Sequence, residues 1–378
     1  MKLILIVIFA VLSVSGFAAE KIVKIGLAGN FSRISSSSSN PYGNYFRNGI
    51  NLALTKHRSS LEKAGIKIEL VEFDYGDSQF AVLEAANKAC KSDVSFVIGY
   101  AYSSHALLAA PIHQKCRLPF LTPSATADRL GQLGDFVHQG AFDNSFQGEV
   151  LAEYAYKTLN ARQAVIVPLS NCAYCQDLGA AFKRKFEGHG GKVSQVVSAT
   201  ENDTDINITA AKVAKMPFDI VVVPNHELAS ARLIYALHKQ GVRKPFLGGD
   251  GWGNFGEQFF DIVGDSGIVG YSLSHWLSSQ TTPISTDFKG EFIKAFKKAP
   301  NDTSVLSYDA AGLLLRALTA TGDHSRLGVE KALNKIETYE GVTGKYIFRK
   351  NRAPKKSILL LKTVNNRYQF LKSIDPGS

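Results

Sequence analysis

Val94-Ser95-Phe96-Val97-Ile98-Gly99-Tyr100-Ala101-Tyr102-Ser103-Ser104-His105 is the stretch on which the fold turns. Residues 94–98 are a short apolar run, which predicts a buried strand. Gly99 breaks it, and residues 104–115 carry helical periodicity. A second short strand is expected over 120–122, followed by Thr122-Pro123-Ser124-Ala125-Thr126. Strand, loop, helix and strand in that order make the repeating unit of a parallel α/β sheet.

The same alternation extends in both directions. Towards the N-terminus it predicts strands over 22–28 and 66–73 and helices over 45–58 and 80–90. Towards the C-terminus it predicts strands over 164–167, 193–197, 220–223 and 245–247, with helices over 147–159, 176–187, 207–215 and 229–240. The two series look like two similar lobes. A Gly- and aromatic-rich stretch interrupts them after Gly251, helices resume over 287–296, 304–320 and 329–336, and the chain ends β-rich over 346–348, 358–364 and 368–371. Ser35–Ser39 is the one low-complexity tract and reads as a loop after the first strand.

Met1-Lys2, the apolar residues 3–14 and the small residues before Glu20 have the layout of a secretory signal peptide. The apolar run is shorter than the ~20 residues that a spanning helix needs, so cleavage near residue 19 is expected. Residues 20–378 then suggest two domains at ~100–200 residues each. The formal charge of +10 is scattered over clusters such as Lys183-Arg184-Lys185 rather than gathered into a stripe interleaved with aromatics, so nucleic acid is not an expected partner. The four cysteines, in an exported chain, are expected to form disulfides, although the count alone permits three connectivities.

Ligands of open α/β sheets bind beyond the carboxyl ends of the strands. Ser103 there offers a hydroxyl and the following turn offers unpaired N–H groups, a combination suited to a carboxylate. The segment Ser124-Ala125-Thr126 can complete such a site, although Ser103 and Thr126 could equally be helix caps. In this order and spacing the two segments resemble those of the leucine/isoleucine/valine-binding family of solute-binding proteins. So do Asn40-Pro41-Tyr42-Gly43, Asp74-Tyr75-Gly76-Asp77, Gly248-Gly249-Asp250-Gly251, Ser307-Tyr308-Asp309-Ala310 and Gly341-Val342-Thr343-Gly344.

The resemblance implies an α/β fold of the type I periplasmic binding protein: two Rossmann-like lobes with a ligand cleft between them, joined by three crossings. Residues 20–142 and 276–338 would form one lobe, and 143–275 and 339–378 the other. It implies that Ser103, Ser124 and Thr126 hold a ligand α-carboxylate, with Ala125 also among the ligand-binding residues, that Asp250 holds an α-ammonium, and that Tyr42 and Tyr174 cover the ligand. The glycines beside Asp250 would let the ligand approach closely. His226 stands where the family often has a tyrosine, which suits a polar side chain better than Leu or Val. The protein is then expected to be a monomeric periplasmic receptor for an amino acid or related polar solute, to act with a membrane ABC permease, and to need no cofactor. A sensing role with an amide or organic acid as ligand remains open.

Cys90 and Cys116 lie at the ends of consecutive helices flanking one strand, so a bridge between them is geometrically plausible. Cys172-Ala173-Tyr174-Cys175 could indicate a thiol–disulfide oxidoreductase, but the chain is longer and differently organised than a thioredoxin-like domain, and a loop disulfide is the expectation. Zinc would need two further ligands, and no His or Cys stands at suitable spacing in sequence. The sequence carries no G-x-S-x-G, phosphate-loop or H-E-x-x-H signature.

Overall fold

The computed structural model describes residues 20–31, 41–76, 78–253, 257–264, 266–348, 353–364 and 366–376. The expected leader, the Ser35–Ser39 tract, Asn40 and Asp77 lie outside the described residues. The first half runs β1 (Lys21–Gly29), α1 (Pro41–Lys63), β2 (Ile66–Asp74), α2 (Gln79–Lys91), β3 (Phe96–Gly99), α3 (Ser103–Cys116), β4 (Phe120–Thr122) and β5 (Val137–Gln139). The second runs α4 (Asn144–Glu153), β6 (Gln163–Ile166), α5 (Ala173–Gly188), β7 (Lys192–Val196), α6 (Asp203–Val213), β8 (Ile220–Val222), α7 (Glu227–Lys239), β9 (Phe246–Leu247), α8 (Glu257–Val263) and β10 (Gly270–Ser274). Helices α9 (Pro283–Phe296), α10 (Asp302–Thr319) and α11 (Arg326–Asn334) follow, then a hairpin of β11 (Thr338–Gly341) and β12 (Gly344–Ile347), and finally β13 (Ile358–Val364) and β14 (Arg367–Ile374).

The strands form two lobes, each on its own sheet. The first sheet has the order β2-β1-β3-β4-β5 and is parallel throughout. The second has the order β14-β13-β10-β9-β8-β6-β7, with its last two strands antiparallel. Sheets of this kind are covered on both faces, and β3, β4 and β8 are buried at every position. On one face of the first sheet, Val23, Ile25 and Leu27 pack with Phe46 and Ile50 of α1 and with Leu314 and Leu318 of α10. On the other face, Val97 packs with Ala85 and Ala89 of α2 and Ala106 and Ala110 of α3.

Three strands, β5, β10 and β11, appear where the pattern predicts none, and so does α8. The residues of β10, Gly270-Tyr271-Ser272-Leu273-Ser274, are all buried but include two serines, which disguises the strand. Helix α6 starts four residues before its expected limit at 207. Its first turn is polar and carries no apolar periodicity, and the Asn202 side chain caps it by accepting the Thr204 and Asp205 N–H groups.

Candidate ligand-binding site

The chain leaves β3 through a tight passage. A side chain at Gly99 would run into the Ala28 carbonyl of the neighbouring strand, and Tyr100 takes a left-handed φ of 52°. That conformation is unusual for a residue with a Cβ. The buried Tyr100 hydroxyl is anchored 3.0 Å from His113 Nε2. The strained turn aims Tyr102 and Ser103 off the strand end, where α3 begins.

Ser103 is buried and accepts the Thr126 N–H at 3.2 Å, which ties the two loops together and leaves the serine proton to be donated elsewhere. The Ser124 hydroxyl donates to the Ala101 carbonyl at 3.0 Å. Tyr42, Ser103, Ser124 and Thr126 line one side of a cavity. Ala125 does not join them. It packs into the core with Ala28, Val97 and Tyr100, its N–H donates to Thr122 Oγ1, and its carbonyl accepts from Gln139.

The opposite wall comes from the second lobe, through Tyr174, His226, Asp250 and Gly251. Tyr174 sits in the first turn of α5, and its hydroxyl accepts the Gly251 N–H at 3.0 Å. His226 precedes α7 and stacks on Tyr174 at 5.0 Å. Its other contact crosses the cleft, edge-on to Tyr102 of the first lobe, also at 5.0 Å. Tyr102 in turn stacks on Tyr42 at 5.8 Å. A line of four rings therefore spans the cleft, where the Ala173 N–H also donates to Ser104 at 3.2 Å. The lobes are nearly shut: the cavity offers about 30 Å³ to water-sized bodies, room for one or two waters.

Asp250 is 8 % exposed. Its N–H donates to Gln147 Oε1 at 3.0 Å, and its Oδ2 lies 3.0 Å from His275 Nε2. Its Oδ1 is buried and finds no hydrogen-bond partner among the described residues. Burial holds the His275 imidazole down at about 4, against the pull of Asp250, so near neutrality the ring is uncharged and Nε2–H is the donor. Burial likewise lowers His226 to about 4. A second carboxyl nearby, Asp302, is pushed up to about 8 by burial and accepts from the Ser274 hydroxyl at 3.0 Å. The cavity thus presents a carboxylate whose Oδ1 meets no partner in good hydrogen-bond geometry among the described residues, with the Tyr174 hydroxyl beside it, a neutral histidine behind it and no cation among the lining residues.

Two expectations gain detail. The glycines beside Asp250 make room for the protein itself: a Cβ on Gly249 would strike Leu178 and the Tyr174 hydroxyl, and one on Gly251, which also lines the cavity, would meet the Tyr174 ring at 2.9 Å. They admit the protein's own tyrosine. The C-x-x-C pair also has a third potential ligand, because the fold brings a ring nitrogen of His226 within 4.8 Å of both sulfurs. Disulfides join Cys90 to Cys116, across α2 and α3, and Cys172 to Cys175. Sequence reasoning missed Tyr102 and Thr303, which line the cavity, and His275 and Gln147, which hold Asp250. Tyr102 lay inside the decisive stretch, but the other three come from elements far away in the chain.

Residues 22–367 match the family model described as periplasmic binding protein. The chain belongs to that family. Among curated relatives, this periplasmic binding protein is 24% identical over 347 residues to a leucine-, isoleucine-, valine-, threonine- and alanine-binding protein of Pseudomonas aeruginosa, covering 89% of each chain. It is 22% identical to the Leu/Ile/Val-binding protein of Escherichia coli K12, covering 87% of this chain and 88% of the relative. Its fold is shared with a leucine binding protein of Thermotoga maritima, at a TM-score of 0.85 and 24% identity, over 94% of this chain and 99% of the other. Another neighbour, a solute binding protein of R. palustris in complex with benzoate, superposes at a TM-score of 0.81 with 20% identity, over 94% and 97% of the two chains.

Proposed function

We propose that this periplasmic binding protein captures a small zwitterionic amino acid by closing its lobes around it and carries no catalytic activity. The supporting observation is the Asp250 carboxylate, buried in the cleft with Oδ1 unpaired and Oδ2 held by a neutral imidazole. A buried carboxylate oxygen without a partner is costly, and an ammonium group would relieve that cost. Opposite it, Ser103 and Thr126 supply the donors for the ligand carboxylate, with Ser124 and Tyr42 beside them. The narrow cavity and the polar His226 favour a small or polar side chain over a branched aliphatic one.

In this reading residues 20–142 with 276–338, and 143–275 with 339–378, are the two bodies that close, corrected in one respect: the β11–β12 hairpin packs against α10 and moves with the first body. Residues 1–19 are removed on export to the periplasm, and the closed monomer is read by an ABC permease in the membrane. The relatives named for leucine, isoleucine and valine support the ligand class. An organic acid is the second reading, favoured by the line of rings across the cleft and by the benzoate-bound neighbour. A thermal-shift screen of the mature protein separates the two, because a ligand of the folded state raises the melting temperature with its concentration. Amino acids should stabilise and their deaminated acids should not; the reverse order would replace the first reading with the second.

A further inference from the structure

Cys172 is the N-cap of α5 and Cys175 closes its first turn, so both sulfurs emerge on one side of a helix N-terminus. The Cys175 N–H already donates to Cys172 Sγ at 3.1 Å, a contact that stabilises a thiolate there once the disulfide is opened. The loop before α7 independently delivers His226, one of whose ring nitrogens lies with the two sulfurs in a group of atoms all within 4.8 Å of one another. Stacking on Tyr174 fixes the ring, and its buried Nδ1 has no hydrogen-bond partner among the described residues. Two sulfurs and an imidazole are the donor set of a three-ligand zinc site that keeps its fourth position for water or another donor.

We propose that Cys172, Cys175 and His226 form, when the disulfide is reduced, a binding site for a borderline-soft divalent ion such as Zn²⁺ in the wall of the cleft. The disulfide form cannot bind, because its sulfurs carry no charge to donate. A dithiol reductant supplies two electrons and two protons, itself becoming a disulfide, and leaves two thiols; the incoming ion displaces both thiol protons and takes the two thiolates and the imidazole as ligands. The sulfurs and the ring shift by under a few ångströms to reach bonding distances of about 2.0–2.3 Å. Because Tyr174 and His226 also line the ligand cavity, the site couples the redox state of the cleft wall to its shape. The inference does not depend on which solute the cleft accepts.

Co²⁺, a spectroscopic substitute for Zn²⁺, tests it on the whole mature chain. The protein is reduced with dithiothreitol, freed of reductant without oxygen and titrated with Co²⁺. We expect one ion per chain, with a thiolate-to-cobalt charge-transfer band and the d–d bands of a tetrahedral site, displaced by Zn²⁺ and absent from the oxidised chain. Cys90→Ser with Cys116→Ser should keep these bands and Cys172→Ser should abolish them. His226→Ala should weaken binding by more than about 100-fold, beyond the ~10–100-fold that loss of an outer partner costs. Absence of the bands from the reduced wild type, their survival in Cys172→Ser, or unchanged affinity in His226→Ala would overturn the proposal. X-ray absorption of the Zn²⁺-loaded wild type decides it without any variant: two sulfurs and at least one imidazole support the site, and no imidazole or more than two sulfurs refutes it.

Discussion

His275 acts on the cleft only through Asp250. Its Nε2–H holds one carboxylate oxygen, it stacks on Phe142 at 3.9 Å, and it leaves the other oxygen directed to the cavity. His275→Phe should keep the stacking but free the carboxylate to rotate, weakening amino acid binding by roughly 1–3 kcal/mol, the cost of one lost partner to a charged group. Calorimetry measures this, and circular dichroism should show an intact fold. Burying Oδ2 without a partner also means that His275→Asn, which restores a donor, should recover part of the loss. His226 acts on the ligand's other end. His226→Leu replaces an imidazole with an aliphatic surface, so competition titrations should show the preference moving from polar amino acids towards leucine and valine. Of these residues, Asp250 and His226 were singled out in the sequence through the family resemblance, each in a loop after a strand. His275 was hidden, since the strand that presents it, β10, has serines at positions where a sequence pattern looks for apolar residues.

At the scale of elements, the legible parts were those in which local chemistry and burial agree. Strands β1, β3 and β8 are short apolar runs buried by helices on both sides, and the periodic helices between them follow at once. The C-terminal strands were placed with the second lobe by the family resemblance; the antiparallel pairing of β10 with β13 joins β13 and β14 to its sheet, whereas β12 pairs with β11 alone. Two motifs quoted from sequence acquire a physical reason as a pair. The buried Asp309 of α10 accepts the Val342 and Thr343 N–H groups, at 2.7 and 3.0 Å, and so fastens the turn between β11 and β12 to the first lobe. Helices α1 and α10 meet at Gly49, where an added Cβ would collide with the Ser304 carbonyl and the Ser307 hydroxyl. Gly49→Ala is therefore expected to destabilise the protein by about 1–3 kcal/mol in a denaturant titration, as overpacking does. Replacing both Cys90 and Cys116 by serine opens a bridge of 26 residues' separation and should cost about 2–4 kcal/mol in the same assay.

Over the whole molecule the buried and half-buried histidines set the acid response. Burial lowers His113, His138, His226 and His275 each from 6.5 to about 4. Between those values the unfolded chain binds more protons than the folded one, so stability falls as pH falls through that window. Each histidine contributes up to ~3 kcal/mol at one pK unit per 1.36 kcal/mol. Asp302, raised to about 8, and Asp177, Asp309 and Glu330, which burial also raises, have the opposite sign, since the folded state then holds the extra proton, and they offset part of this dependence. The melting temperature should accordingly rise from about pH 4 to about pH 6.5; a flat or falling profile would mean that these histidines are not buried as described.

That the chain makes two α/β lobes with a cleft was legible along its length, because the alternation of apolar runs and amphipathic stretches repeats on both sides of the middle. How nearly the cleft closes was not, since it depends on rings that meet only in three dimensions, Tyr102 against His226 above all. The central claim is that the cleft holds an amino acid by its ammonium group at Asp250. Isothermal titration calorimetry of wild type and Asp250→Asn, with the amino acid that most stabilises the wild type, tests it most directly. The account predicts one site per chain, weakened in Asp250→Asn by about 2–5 kcal/mol, the usual loss when a buried charge partner is truncated. Equal affinity in the two proteins would contradict it.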